Sequence, residues 1–67
     1  MSVARVTEIT ATSPNSFDDA VREGIERVHK TLKNVQGAWI EDQKINCRDG
    51  AITEYVVRMK VTFVLND

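Results

Sequence analysis

Apolar and polar residues alternate most regularly near the C-terminal end of the chain, from Tyr55 to Leu65. One set of alternate positions is apolar throughout and comprises Val57, Met59, Val61, Phe63 and Leu65. The other set is mixed and comprises Val56, Arg58, Lys60, Thr62 and Val64. A period of two predicts a strand with one buried face. A shorter alternating segment, residues 38–43, contains the single tryptophan, Trp39, and predicts another strand from about Ala38 to Cys47.

The dipeptide Asp49-Gly50 between these segments predicts a tight hairpin, because a type I′ turn needs positive φ at both central residues. Arg48 then faces Ala51, and a regular ladder follows from that pair. The face covered by the helix holds the apolar pairs Ile40 with Met59 and Ala38 with Val61. The other face holds Trp39 opposite Lys60, Glu41 opposite Arg58, and Gln43 opposite Val56. A three-residue loop would exchange the two faces.

A helix is predicted before the hairpin, from Phe17 to about Asn34. Its apolar residues recur at spacings of three and four and form one stripe: Phe17, Ala20, Val21, Ile25, Val28 and Leu32. Ser16 is a good N-cap, and Asp19 follows it three residues later. Gly24 is expected to weaken the helix by about 1 kcal/mol relative to alanine, and Asn34 or Gly37 is expected to end it.

The first 16 residues predict a strand and a turn. Residues 3–11 are rich in β-branched side chains, but they alternate too poorly to indicate which face is buried. The element order is therefore β-α-β-β. We predict an α+β fold in which a three-stranded antiparallel sheet wraps on one helix, with strand order 1-3-2. The whole chain, residues 1–67, is predicted to be a single domain.

Composition narrows the possible functions. The chain has 67 residues and a formal net charge of −1, which gives no electrostatic basis for binding nucleic acid or an anionic membrane. No membrane-spanning run or signal peptide is visible, so a cytoplasmic location is expected. The single cysteine, Cys47, excludes an internal disulfide. A domain of this size often gains stability by oligomerisation.

The outer face of the hairpin is the candidate functional surface. Trp39 could stack against a planar aromatic ligand or pack into a subunit interface, and both interpretations stay open. His29 is interpreted as a surface residue, and Cys47 as unreactive. The acidic residues Glu8, Asp42 and Asp49 show no metal-site spacing. No catalytic residue and no metal ligand is assigned, and the chain is not expected to be an enzyme.

Several segments of the chain match a known family in order and spacing. They are Val6-Thr7-Glu8-Ile9 with Thr12-Ser13-Pro14, Lys30-Thr31-Leu32, Asp49-Gly50, Tyr55, and residues 59–65. By these segments, which cover almost all of its length, the chain resembles the dodecins, a family of small flavin-binding proteins. It implies a hollow homododecamer built from trimers, which binds riboflavin or its phosphate, FMN, in stacked pairs between tryptophans. The implied role is flavin storage and sequestration rather than turnover.

Two positions depart from the family pattern. The family tryptophan position falls at Gly37, and Trp39 lies on the same face about 7 Å further along the strand. The family's flavin-contacting glutamine position is Val56, which has no amide. We predict that Trp39 is the stacking platform, that Gln43 supplies the missing amide, and that Arg58 or Lys60 polarises the rim of the site. The alternative is a dodecin-like shell without flavin, serving as a structural, calcium-binding or coenzyme A-binding scaffold.

Overall fold

The computed structural model describes residues 3–65 and contains the four predicted elements. They are β1 (Ala4–Ser13), α1 (Phe17–Leu32), β2 (Val35–Arg48) and β3 (Ala51–Val64). The three strands form one antiparallel sheet in the order β1-β3-β2, so the long third strand is central. The predicted fold class and strand order are therefore confirmed.

Pairing with β3 shows which face of β1 is buried. Thr7, Ile9 and Ala11 pair with Val61, Met59 and Val57. These three β3 residues have no exposed surface, and Ala20 of the helix is equally buried. At the N-terminal end of α1, the ring of Phe17 packs edge to face against the ring of Tyr55, with centroids 5.1 Å apart. The helix therefore packs on the predicted apolar face of β3.

Polar contacts fix the start of α1. The backbone N–H of Asp19 donates to the Ser16 hydroxyl at 3.0 Å, which confirms the predicted N-cap. The Asp19 carboxylate accepts from the Ser13 hydroxyl at 2.7 Å and from the Asn15 side-chain amide at 3.4 Å. It thereby ties the helix to the end of β1. These hydrogen bonds, that from Ser13 above all, lower the pKa of Asp19 below its ordinary value of 3.8.

This lowered pKa predicts an acid-dependent contribution to stability. Because the folded chain favours ionised Asp19, the stabilisation is present above pH 3.8 and is lost as the pH falls through the folded pKa. Asp19→Asn should lower the melting temperature at neutral pH, and the difference from wild type should shrink in acid. The matched control is Asp18→Asn, in the same turn. A difference for Asp19→Asn that stays constant with pH would contradict this account.

The helix ends at Leu32 through two residues with positive φ, Lys33 at 55° and Asn34 at 49°. Asn34 is therefore left-handed as predicted, and it carries the chain into β2. Gly37, the other predicted terminator, lies inside β2. The Asp49-Gly50 turn has φ values of 51° and 80°, which confirms positive φ at both central residues.

Gly24 is buried where the helix approaches the sheet most closely. A Cβ at this position would lie 2.8 Å from Cε of Met59 and 2.9 Å from Cβ of Ala11. The methionine end can move, but the Ala11 methyl is held by the backbone of β1. The sequence interpretation of Gly24 as only a weak helix residue is therefore incomplete, because its missing side chain lets α1 pack closely on β1.

Gly24→Ala is expected to destabilise the fold in spite of its better helix propensity. The propensity gain is about 1 kcal/mol, whereas overpacking a close contact costs about 1–3 kcal/mol. We expect a net loss of about 1 kcal/mol in denaturant unfolding. Glu23→Ala, at an exposed neighbouring position, should stay near wild type. A more stable Gly24→Ala variant would show that the helix can shift without cost.

The β2–β3 ladder is less regular than predicted. The pairs Ala38–Val61, Trp39–Lys60 and Ile40–Met59 are as expected. The register then shifts between Ile40 and Asp42, so that Glu41 is an extra residue on β2. Further irregularities lie between Val35 and Gly37 and between Asn46 and Cys47. The regular ladder extrapolated from the turn is therefore correct next to the turn and again from Ile40 to Ala38, and it is wrong between Asp42 and Asn46.

The bulge at Glu41 changes which residues share a face. Asp42, not Glu41, pairs with Arg58, and Gln43 pairs with the buried Val57. Because one extra residue moves the following side chains to the opposite face, Gln43 lies on the helix side of the sheet. The predicted pairs of Glu41 with Arg58 and Gln43 with Val56 are therefore wrong. Lys44 is the residue that faces Val56.

The helix covers β1 and β3 more fully than β2. The molecule is long and thin, 52 × 19 × 13 Å, because the hairpin extends beyond the helix. Ile40 and Ile45, each paired with a residue on the helix side of β3, remain 43% exposed. The helix therefore leaves apolar surface uncovered on its side of the hairpin, at Ile40 and Ile45.

Candidate functional site

The candidate site lies on the outer face, the side of the sheet away from α1. Trp39 projects from this face and is 63% exposed. Its cross-strand neighbour is Lys60 on β3, and Lys60 has Glu8 of β1 on its other side. A row of three side chains, Trp39, Lys60 and Glu8, therefore crosses the sheet.

The bulge adds a fourth group to this row. Oε2 of Glu41 lies 3.8 Å from Nζ of Lys60. A hydrogen bond with the carboxyl group of Glu8 raises the pKa of Glu41, and desolvation and the charge of Glu8 act in the same direction. Lys60 and Arg58 oppose the shift without cancelling it. We call Glu8 and Glu41 the carboxyl pair. With its raised pKa, Glu41 keeps its proton to a higher pH than a solvated glutamate does.

A second cluster lies further along the outer face, towards the hairpin turn. Arg58 forms an ion pair with Asp42, and this contact raises the pKa of Arg58. Both residues line an open depression of about 330 Å³, together with Thr10, Lys44 and Val56. The depression is charged on most sides, and Val56 gives it one apolar wall.

The predicted site residues form a strip rather than a pocket. Trp39, Val56, Arg58 and Lys60 all lie on the outer face, whereas Gln43 lies on the other. Val56 is four residues from Lys60 on β3, which places it about 13 Å from the tryptophan's cross-strand neighbour. A planar ring stacked on Trp39 therefore lies closer to Lys60 and the carboxyl pair than to Val56.

Sequence reasoning missed the carboxyl pair. Glu8 was considered only as a metal ligand, because the poor alternation of β1 left its face undetermined. Glu41 was placed opposite Arg58, because a regular ladder was assumed. The one usable signal was the presence of two consecutive acids, Glu41-Asp42, in an otherwise alternating strand. His29 and Cys47 are both exposed.

Within residues 3–65, no group of three or more His, Cys, Asp or Glu side chains converges as a metal site would require. The single helix in that part of the chain is not long and apolar enough to cross a membrane.

Comparison with solved structures gives close matches over the whole domain. The dodecin from Streptomyces davaonensis is 38% identical, with a TM-score of 0.95, and the match covers 98% of this chain and 97% of that one. The dodecin from Streptomyces coelicolor is 30% identical, with a TM-score of 0.94 and coverage of 98% and 94%.

A curated relative is the protein called calcium dodecin from Mycobacterium tuberculosis. It is 27% identical over 63 residues, which span 94% of this chain and 89% of the relative. The model of the Dodecin family matches residues 3–66. Together with the β-α-β-β architecture, this match over nearly the whole sequence places the chain in the dodecin family.

Proposed function

We propose that this protein binds a flavin, riboflavin or FMN, and that it stores and sequesters the flavin in a hollow homododecamer. The observation that carries the proposal is the exposed Trp39 on the charged outer face of the hairpin. An indole left 63% exposed beside Lys60 has a large apolar surface in water, and a planar ring is well suited to cover it. Offset stacking contributes about 0.5–1.5 kcal/mol beyond the burial of area.

The surroundings of Trp39 suit an uncharged ring system with polar edges. Lys60 and the carboxyl pair supply donors and acceptors within the same row. The proposed role is binding and protection, and no group on this face is assigned a catalytic step. The cytoplasmic location expected from the sequence stays a prediction.

Assembly is part of the proposal because the strip of site residues on the outer face of one chain would leave one side of a bound ligand uncovered. A second copy facing it would enclose the ligand, and the apolar surface at Ile40 and Ile45 is available for subunit contacts. We propose twelve subunits arranged as trimers. Light scattering at micromolar concentration measures this, and a monomer or dimer would contradict it.

Flavin binding is tested by titrating riboflavin and following its fluorescence, after recording the visible absorbance of the protein as purified. Bound riboflavin should lose emission, because stacking on an indole quenches it. FMN titrated in parallel measures whether a phosphate is tolerated. Riboflavin emission that is unchanged at saturating protein would reject the proposed function.

The second candidate is a shell of the same architecture without flavin, a structural scaffold or one that binds calcium or coenzyme A. Two observations favour it: Val56 offers no amide on the outer face, and Gln43 lies on the other face. A relative is also named a calcium dodecin. Equilibrium dialysis against calcium, and separately against coenzyme A, distinguishes these functions from flavin binding.

A further inference from the structure

The carboxyl pair lies beside Trp39 and is held there by the sheet. Glu8 is fixed by its pairing with Lys60, the residue that also faces Trp39. Glu41 reaches the same lysine, at 3.8 Å, from its unpaired position in the bulge. Two carboxyl groups from the two edge strands therefore meet over the central strand, next to the exposed indole.

The charged groups facing Glu41 are few among the described residues. They are Glu8 on β1, Lys60 and Arg58 on β3, and its neighbour Asp42 on β2. Asp42 is paired with Arg58, and α1 lies on the opposite side of the sheet. The shared hydrogen bond with Glu8 is consequently the strongest influence on Glu41.

A ring stacked on Trp39 would lose water from the polar groups along its edge. Buried N–H and C=O groups need partners. An ionised carboxylate can only accept hydrogen bonds, whereas a protonated carboxyl presents a donor and an acceptor side by side. Two carboxyl groups that share one proton preserve this arrangement. It complements a ring edge on which an N–H lies next to a carbonyl.

We infer that Glu41, paired with Glu8, recognises the edge of the ring stacked on Trp39 and selects rings that carry an N–H beside a carbonyl. The imide edge of a flavin has this pattern. The inference rests on the proposed flavin function and assigns to Glu41 the polar contact that the sequence had assigned to Gln43.

This assignment makes binding depend on pH. The pKa of Glu41 is raised above its ordinary value of 4.5, so Glu41 keeps its proton as the pH rises past that value. Above the raised pKa the pair becomes acceptor-only. Riboflavin affinity should therefore fall as the pH rises through the raised pKa of Glu41, by up to about tenfold for each pH unit above that pKa.

The test is riboflavin titration by fluorescence quenching over this pH range with the assembled wild type, Glu41→Gln and Glu54→Gln. Glutamine keeps a donor and an acceptor at every pH, so Glu41→Gln should bind with a Kd that does not change with pH. Glu54 hydrogen-bonds Asn46 near the hairpin turn, and Glu54→Gln should keep the wild-type profile. Identical profiles for wild type and Glu41→Gln overturn the inference alone. Absence of binding in the wild type at every pH overturns the proposed function together with it.

The contact with the ring edge has its own probe, 3-methylriboflavin, in which a methyl group replaces the imide hydrogen. The wild type should bind it about fivefold more weakly than riboflavin, the loss expected for one hydrogen bond. Equal affinity for the two flavins would show that Glu41 does not contact this edge.

Discussion

Replacing Val61 by aspartate is expected to unfold the chain at neutral pH. Val61 has no exposed surface and lies on the central strand, between Thr7 of β1 and Ala38 of β2. Burying a carboxyl group without partners costs several kcal/mol, whether it is ionised or held protonated. The free energy of unfolding of a domain of this size is about 3–10 kcal/mol. The cost of this single substitution is therefore comparable to the total stability.

Circular dichroism and denaturant unfolding measure the effect. The control is Val6→Asp, which makes the same change on the outer face, where Val6 is 47% exposed. The control chain should remain folded, whatever its effect on assembly. A folded Val61→Asp chain with a near-native unfolding midpoint would show that the assigned core is wrong.

Removing the indole at Trp39 is expected to have the largest effect on ligand binding. Trp39→Ala should weaken riboflavin binding by about 2 kcal/mol or more, at least about thirtyfold, as for other central aromatic anchors. Because Trp39 lies outside the core, the unfolding midpoint should change little. Fluorescence quenching and denaturant unfolding on the same preparation separate the two effects.

The graded control is Trp39→Phe, which keeps a smaller ring and should retain part of the affinity. Light scattering on both variants reports whether the shell is intact. If Trp39→Ala binds riboflavin as the wild type does, stacking on Trp39 is excluded. If it binds riboflavin normally but no longer assembles, Trp39 is an interface residue.

The features that could be predicted from the sequence are those encoded locally. The Ser16 cap, the apolar stripe of α1 and the Asp49-Gly50 turn each depend on a few neighbouring residues. The alternation in β3 was readable because one face of that strand is fully buried. The three-stranded order followed from these elements, since the longest alternating strand is the one that needs two neighbours.

The parts of the site that could not be predicted depend on contacts between distant segments. The consecutive acids Glu41-Asp42 are the only local sign of the bulge, and no glycine or proline interrupts Ile40-Glu41-Asp42 to mark it more clearly. The bulge becomes visible only in the pairing with β3. It moves Gln43 to the helix side and brings Glu41 to Glu8, 33 positions away in the chain. The pairing of Trp39 with Lys60 was predicted correctly because two shifts offset each other, one with the extra residue Thr53 on β3 and one with the extra residue Glu41 on β2.

The irregular pairing of β2 also bears on aggregation. β2 is an edge strand of 14 residues, and a long edge of unpaired N–H and C=O groups can act as a template for strands of other molecules. Two of the three irregularities place an extra residue on β2 itself, Gln36 and Glu41, and they divide this edge into regular stretches of at most seven residues, from Asp42 to Arg48. A strand arriving from an unfolded chain could not keep register along this edge. The bulge that positions Glu41 therefore also protects the hairpin from uncontrolled sheet extension, while leaving its faces open for specific partners.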